Sequence, residues 1–227
     1  MNIMDLNGNI NNNDDDSKYI LSLDVSTSTI GIALFEDLGD KGELKLLHHV
    51  SPKVKPQPKT KMEELFSKVE IFEKEFLSNY VGFGITKVII EEPLLQSNNV
   101  YTIATLLRFN GMISKSVYDT IGVVPEFISS YDARKYAFPE LMSIRKFKKD
   151  GSPRTEKEIA KSEPVLFGAY DYDVDKKMVI FDKVCDLEPQ ITWLYDKKYK
   201  LKKENFDMSD SYTCGIAYMK MIGKWSK

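Results

Sequence analysis

Four carboxylates stand where a carboxylate is costly or unusual, and together they could hold divalent metal. Asp24 interrupts the apolar run YILSLDV, and charge is rarely buried there without a partner. Glu91 ends the apolar run KVIIE, at the strand edge where open α/β sheets place their sites. Asp207 and Asp210 lie three apart in NFDMSDSY, so on a helix both project from one face. Carboxylates gathered from separate elements repel one another, and hard divalent cations are the usual remedy. Two Mg²⁺ ions held about 4 Å apart by such a cluster can activate water and stabilise a leaving oxygen in phosphodiester cleavage. Taken singly, each residue also has a plainer role. Asp207 fits a helix N-cap with Asp210 as a favourable first-turn charge, Glu91 or Glu92 fits a strand end before Pro93, and Asp24 fits a turn ahead of VSTST.

The elements that would carry these residues are readable from periodicity. Residues 1–17 are Asn- and Asp-rich without apolar pattern and read as a disordered tail, leaving 18–227 as the folded domain. Tyr19–Val25, Ile30–Phe35 and Leu44–Val50 read as three short strands of an antiparallel meander. A proline-rich connector, Pro52–Pro58, precedes a helix from about Thr60 to Asn79, whose Met62, Leu65, Phe66, Val69, Phe72 and Phe76 make one apolar face. The strand KVIIE, a long helix over about Asn98–Asp119 and the strand VVPEFI follow. Strand, helix, strand in this order predicts an α/β fold whose sheet turns parallel after its opening. A helix at about Asp175–Asp186 and a last one at about Met208–Ile222 complete the chain.

Composition narrows the classes. The 227 residues are 42% hydrophobic and 11% aromatic, which suits one globular domain. No apolar run reaches the ~20 residues of a membrane span. The N-terminus lacks a basic start and apolar core, so no secretory signal is expected, and an intracellular setting follows. Cys185 and Cys214 are too few for a disulfide framework or a Cys-based zinc site, and His48 and His49 have no partner motif. The net charge of −2 conceals an uneven distribution, because four Asp and no basic residue fall in the first 16 positions. Two basic segments stand out. Arg145, Lys146, Lys148 and Lys149 flank Phe147 within an insertion at about 143–174, and Lys197, Lys198, Lys200, Lys202 and Lys203 surround Tyr199 and Leu201. Basic residues interleaved with aromatics suit phosphate tracking along DNA; a solvated loop fits the 145–149 cluster equally well, whereas the 197–203 run, just before Asp207, favours DNA contact.

Three segments in order, LDVSTSTIGIALFE, VIIEEPLLQSNN leading to a helix through LLRFNG, and NFDMSDSYTCGIA, resemble the RuvC-type Holliday-junction resolvases of the RNase H-like superfamily. The likeness is strongest to the virus-borne members and covers about 19–136 and 175–223. It implies a five-stranded mixed sheet, three antiparallel strands then two parallel, flanked by helices. It places the family's metal-binding quartet on Asp24, Glu91, Asp207 and Asp210, with Glu92 and Glu204 as second choices. The family's lysine near the scissile phosphate falls on Lys176 of DKKMVIFDKV, with Lys177 as substitute, where a cation would neutralise developing charge. The resemblance further implies Mg²⁺, two per site with Mn²⁺ able to substitute, and a homodimer cutting four-way junctions by symmetric paired nicks that leave 5′-phosphate and 3′-hydroxyl ends. Where some relatives carry an aromatic wedge this chain has Leu94, so other branched DNAs such as flaps and forks enter as substrates.

Two further readings compete. LDVSTSTIGIALF also resembles the first phosphate loop of sugar-kinase-like and actin-like ATPases, but those need two such domains and this chain shows no second copy. A non-catalytic DNA-binding protein of the same fold would be expected to have lost a carboxylate, and here all four stand.

Overall fold

Residues 17–94 and 99–225 are described in a computed structural model of the chain. The expected tail, apart from Ser17, therefore lies outside the described residues, as does the start of the helix predicted from Asn98.

Alternation along the strands builds the sheet. β1 (Lys18–Val25), β2 (Ile30–Asp37) and β3 (Gly42–Val50) form the antiparallel meander, and β4 (Ile85–Glu91) and β5 (Glu126–Ile128) add in parallel, giving the order β3-β2-β1-β4-β5. This is the five-stranded mixed α/β sheet that the resemblance implies. In β1, Tyr19, Leu21, Leu23 and Val25 face one core, while Ile20, Ser22 and Asp24 face the other. Both faces pack a hydrophobic core under different helices, and the Ile20 face also carries the acidic residues at its strand ends.

The Tyr19 face is covered by α1 (Lys61–Glu75) and α2 (Val100–Ile121). Thr60 and Glu63 form a capping box at the start of α1. The helix ends four residues earlier than its apolar periodicity predicts, breaking at Phe76 into a short 3₁₀ turn, Leu77–Tyr80. Asn99 caps α2, and Gly122 at φ 82° closes it in the left-handed region. Both helices also fix the loop after Asp24. Asn110 of α2 donates to the Val25 carbonyl at 3.1 Å, and Lys68 of α1 donates to the Thr27 carbonyl at 2.6 Å. Ser26 closes the turn on Thr29 through its own hydroxyl.

The opposite face carries α3 (Ser130–Ala137), α5 (Lys176–Leu187) and α6 (Glu204–Met221). The last helix begins one turn before the predicted Met208, so Asp207 lies inside it and is not the N-cap. It is buried nearly all round, because it packs on the sheet and between α3 and α5 at once. Its hydroxyls stay satisfied by turning back on the helix: Ser209 donates to the Asn205 carbonyl and Thr213 to that of Ser209. Between α3 and α5, β6 (Met142–Ser143) pairs with β7 (Val165–Leu166), enclosing a basic turn and α4 (Glu156–Ala160). The basic turn is itself bonded, Lys148 N–H to the Ser152 carbonyl and Arg154 N–H to that of Lys146.

Candidate active site

Register alone brings the first two carboxylates together. Leu23 of β1 pairs with Ile90 of β4 in parallel, so the next residue of each, Asp24 and Glu91, emerge side by side on the same face. Helix α6 then brings Asp210 over them. Ligand oxygens of Asp24, Glu91 and Asp210 all lie within 4.8 Å of one another. Asp207, one turn earlier on α6, stands outside this triad but close enough that its charge acts on Asp24.

The helix can approach this closely because of Gly31. It is the cross-strand partner of Asp24, and a Cβ added there would meet the Asp207 carbonyl oxygen at 2.0 Å. Its neighbour on the other side is His49 of β3. Gly31 is thus where the sheet admits the backbone of α6, and it sets the height of Asp207 and Asp210 above Asp24.

Electrostatics at the cluster are unfavourable without added positive charge. Burial first, then Glu91, Asp210 and Asp207, push Asp24 well above the ordinary carboxylate range. Burial and Asp210 raise Glu91 to about 7, against the pull of Arg134 and Lys177. Burial raises Asp207 to about 6, with Asp210 adding to it and Lys177 opposing. Two cations already lean on the cluster. Arg134 of α3 reaches Asp210 Oδ1 at 3.3 Å, and Lys177 at the start of α5 reaches Asp210 Oδ2 at 3.3 Å. Burial works against the Lys177 ammonium, yet the surrounding carboxylates hold its pKa above the ordinary value. The buried Cys214 thiol donates to Glu91 at 3.9 Å and is itself pushed far up by burial and by the acids.

Of the two lysines expected near the phosphate, the structure turns Lys177 and not Lys176 to the acids. Successive helical residues point about 100° apart, so only one can face the cluster. Lys176 lies over the Phe167 ring instead, 5.9 Å from its centroid. The second-choice acids stay outside the triad: Glu92 is exposed past the end of β4, and Glu204 acts on His49. Arg134 and Gly31 were not singled out in the sequence. Arg134 sits in an eight-residue helix whose buried residues are two alanines, too small to give a periodic signal.

The other expected DNA contacts divide. Arg145 turns inward, donating to the Tyr170 and Phe167 carbonyls and stacking on Tyr172 at 4.1 Å, which makes it a brace of the insertion. Lys148 pairs with Glu158 at 3.2 Å, while Lys146 and Lys149 are exposed. Lys197, Lys198, Lys200, Lys202 and Lys203 are all exposed on a turn leading into α6. Leu94 is 62% exposed at the edge of the described residues.

No family model matches the sequence, and no curated protein matches it. Solved structures do. Thermus thermophilus RuvC superposes with a TM-score of 0.50 at 12% identity, over 90% of this chain and 95% of that one. The chain has the RuvC fold. The same enzyme in complex with a Holliday junction substrate gives a TM-score of 0.49 at 11% identity, over 90% and 94%. The yeast mitochondrial Holliday junction resolvase Ydc2 gives 0.45 at 11%, over 88% and 77%. Within this RuvC fold the acidic triad lies at the carboxyl ends of adjacent parallel strands, with α6 laid across them. Among the described residues, no helix is long and apolar enough to cross a membrane.

Proposed function

We propose that the protein is a divalent-metal-dependent, structure-selective DNA endonuclease. It resolves four-way junctions as a homodimer by paired symmetric nicks, leaving 5′-phosphate and 3′-hydroxyl ends. The observation that carries this reading is the meeting of Asp24, Glu91 and Asp210 at one strand edge, with Asp207 beside them. Three carboxylates within 4.8 Å, two of them held above their ordinary range, form an all-oxygen donor set suited to a hard cation.

Asp24, Glu91, Asp207 and Asp210 would hold two Mg²⁺ ions, and Mn²⁺ would fit the same oxygens. When bound, such a pair supplies Lewis acidity for phosphodiester hydrolysis. The chain's own residues supply the rest. Arg134 orients Asp210 through one oxygen and leaves the other to Lys177. Lys177, half exposed, is placed to meet a phosphate oxygen arriving at the cluster and to offset its growing charge. Sheet register fixes the backbones of Asp24 and Glu91 side by side before DNA binds.

A two-fold substrate calls for two sites related by two-fold symmetry. The partner copy would lie on the outer face of α2, where Leu107, Gly111 and Tyr118 are exposed in one row with the Lys115–Asp119 ion pair beside them. The lysines of the 197–203 turn and Lys146 and Lys149 would track phosphates outside the site. Leu94 offers no ring to stack in a junction, which favours flaps and forks as additional substrates.

The test is a cleavage panel of four-way junction, three-way junction, flap and linear duplex in Mg²⁺ or Mn²⁺. Wild type should nick the four-way junction in symmetric pairs. Asp24→Asn and Asp207→Asn should bind the junction in Ca²⁺ or EDTA and cut nothing. Wild type that cleaves no branched DNA under either metal refutes the proposal.

A further inference from the structure

The turn that leads into α6 presents one aromatic ring to solvent. Tyr199 is 89% exposed, the highest value among the described large hydrophobic residues, and its backbone is held at φ 58°, in the left-handed region that tyrosine rarely adopts. Such a conformation persists only where neighbours over-determine it. Here Asp196 does so. Its Oδ1 accepts from the Lys198 and Lys200 amides at 2.7 and 2.9 Å, its N–H donates to the Lys200 carbonyl, and its carbonyl accepts from the Tyr199 amide at 3.0 Å.

The turn is rigidly joined to the catalytic helix. Leu194 exchanges two hydrogen bonds with the fully buried side chain of Asn205, at 3.0 and 2.7 Å, and Lys202 N–H returns to the Leu194 carbonyl. Asn205 is two residues before Asp207. Beneath the turn, Trp193 packs edge-on against Phe181 of α5, and Phe181 against Phe206 of α6. The ring therefore stands on the two helices that carry Lys177 and Asp207, at the tip of a segment holding five lysines. A ring left this exposed, on a backbone held this firmly, gains little from the fold itself.

We infer that Tyr199 is a base-stacking residue: its ring receives an unstacked nucleobase next to the branch point, while the flanking lysines hold the phosphates on either side. Lysine and phosphate supply the charge complementarity, and the flat ring suits any base. Leu94, exposed three residues past Glu91, has no ring to offer. This inference rests on the proposed action on branched DNA and deepens it by naming where a disrupted base goes.

The experiment is an abasic scan in EDTA with the full-length protein. Nucleotides around the crossover of a synthetic four-way junction are replaced one at a time by abasic sites, and affinity is measured for wild type, Tyr199→Phe and Tyr199→Ala. One abasic position should cost wild type and Tyr199→Phe about tenfold. The same position should cost Tyr199→Ala less than about twofold, since the partner ring is already gone. The dependence of affinity on salt should be unchanged in Tyr199→Ala, because no phosphate contact is lost, whereas Lys200→Ala should flatten it. If every abasic position affects wild type and Tyr199→Ala alike, the inference is overturned. If wild type binds no branched DNA at all, the proposed function itself has failed. Tyr199 is a surface residue, and a circular dichroism melt verifies that its variants fold.

Discussion

Gly31→Ala is the sharpest test of how the site is assembled. The residue has no side chain to bind DNA or metal, yet that missing side chain determines how closely α6 lies on the sheet. An added Cβ would stand 2.0 Å from the Asp207 carbonyl oxygen and 2.3 Å from its carbon, where ordinary contact begins at 3.4 Å. These are backbone atoms and cannot swing aside, so α6 must retreat by roughly 1.4 Å at this point. Overpacking of this kind costs about 1–3 kcal/mol of stability. The retreat lifts Asp207 and Asp210 away from Asp24 and Glu91, and a misplacement of about 1 Å costs on the order of 100-fold in rate. The assay is single-turnover cleavage of a four-way junction in saturating Mg²⁺, with a thermal melt and junction affinity in EDTA measured alongside. The variant should remain folded, bind the junction and cleave about 100-fold more slowly. A variant that cuts at the wild-type rate would mean that α6 does not seat on Gly31, and the geometry argued above would be wrong.

Four other outcomes follow from the same coordinates. Lys177→Ala should slow single-turnover cleavage by about 100-fold and Lys176→Ala by less than about twofold, since only Lys177 meets Asp210; equal effects would contradict this placement. Arg134→Ala should lower metal-free stability by about 1–3 kcal/mol, with much of the loss recovered in Mg²⁺, as read by urea denaturation; a loss that Mg²⁺ does not touch would make Arg134 a packing residue. Glu91 rises from 4.5 to about 7 and Asp207 from 3.8 to about 6 on folding, so in this window the folded chain holds protons that the unfolded chain has released. Metal-free stability should therefore fall from about pH 4 to about pH 7, and Mg²⁺ should stabilise more at the higher pH; a flat profile in EDTA would count against the clustering. Gly111→Trp puts bulk where the row has none and should turn a dimer into a monomer by sedimentation, whereas an unchanged mass would put the dimer surface elsewhere.

The meander and the crossover to β4 were legible because β1, β2 and β4 carry strong apolar runs with clear breaks between them. Asp24 and Glu91 were conspicuous for the same reason, as charges at the ends of those runs. The lysine assignment needed the helix phase of α5, and Asp175, which caps that helix, fixes the phase in a way that two adjacent lysines do not reveal. The start of α6 was misread because Glu204, Asn205 and Phe206 look like the end of a basic loop. Asn205 is fully buried and bonded back to Leu194, a long-range contact with no local signature. Helix α3 was invisible to periodicity, and with it Arg134. The insertion at about 143–174 read as loop because its order comes from scattered pairings, Arg145 to two carbonyls and β6 to β7, and not from any apolar repeat.

The order in which the acidic residues occur along the chain has a consequence for how the protein is made. Asp24 and Glu91 belong to strands that leave the ribosome early, and Asp207 and Asp210 to a helix more than 100 residues further on. That helix touches four of the five strands, and α3 and α5 besides, so it seats only on a sheet already formed. Before then the half-built protein carries two lone carboxylates and no means of gripping an ion. The proposed metal site is thus completed only when α6 docks, and a copy lacking that helix has half of the acidic residues.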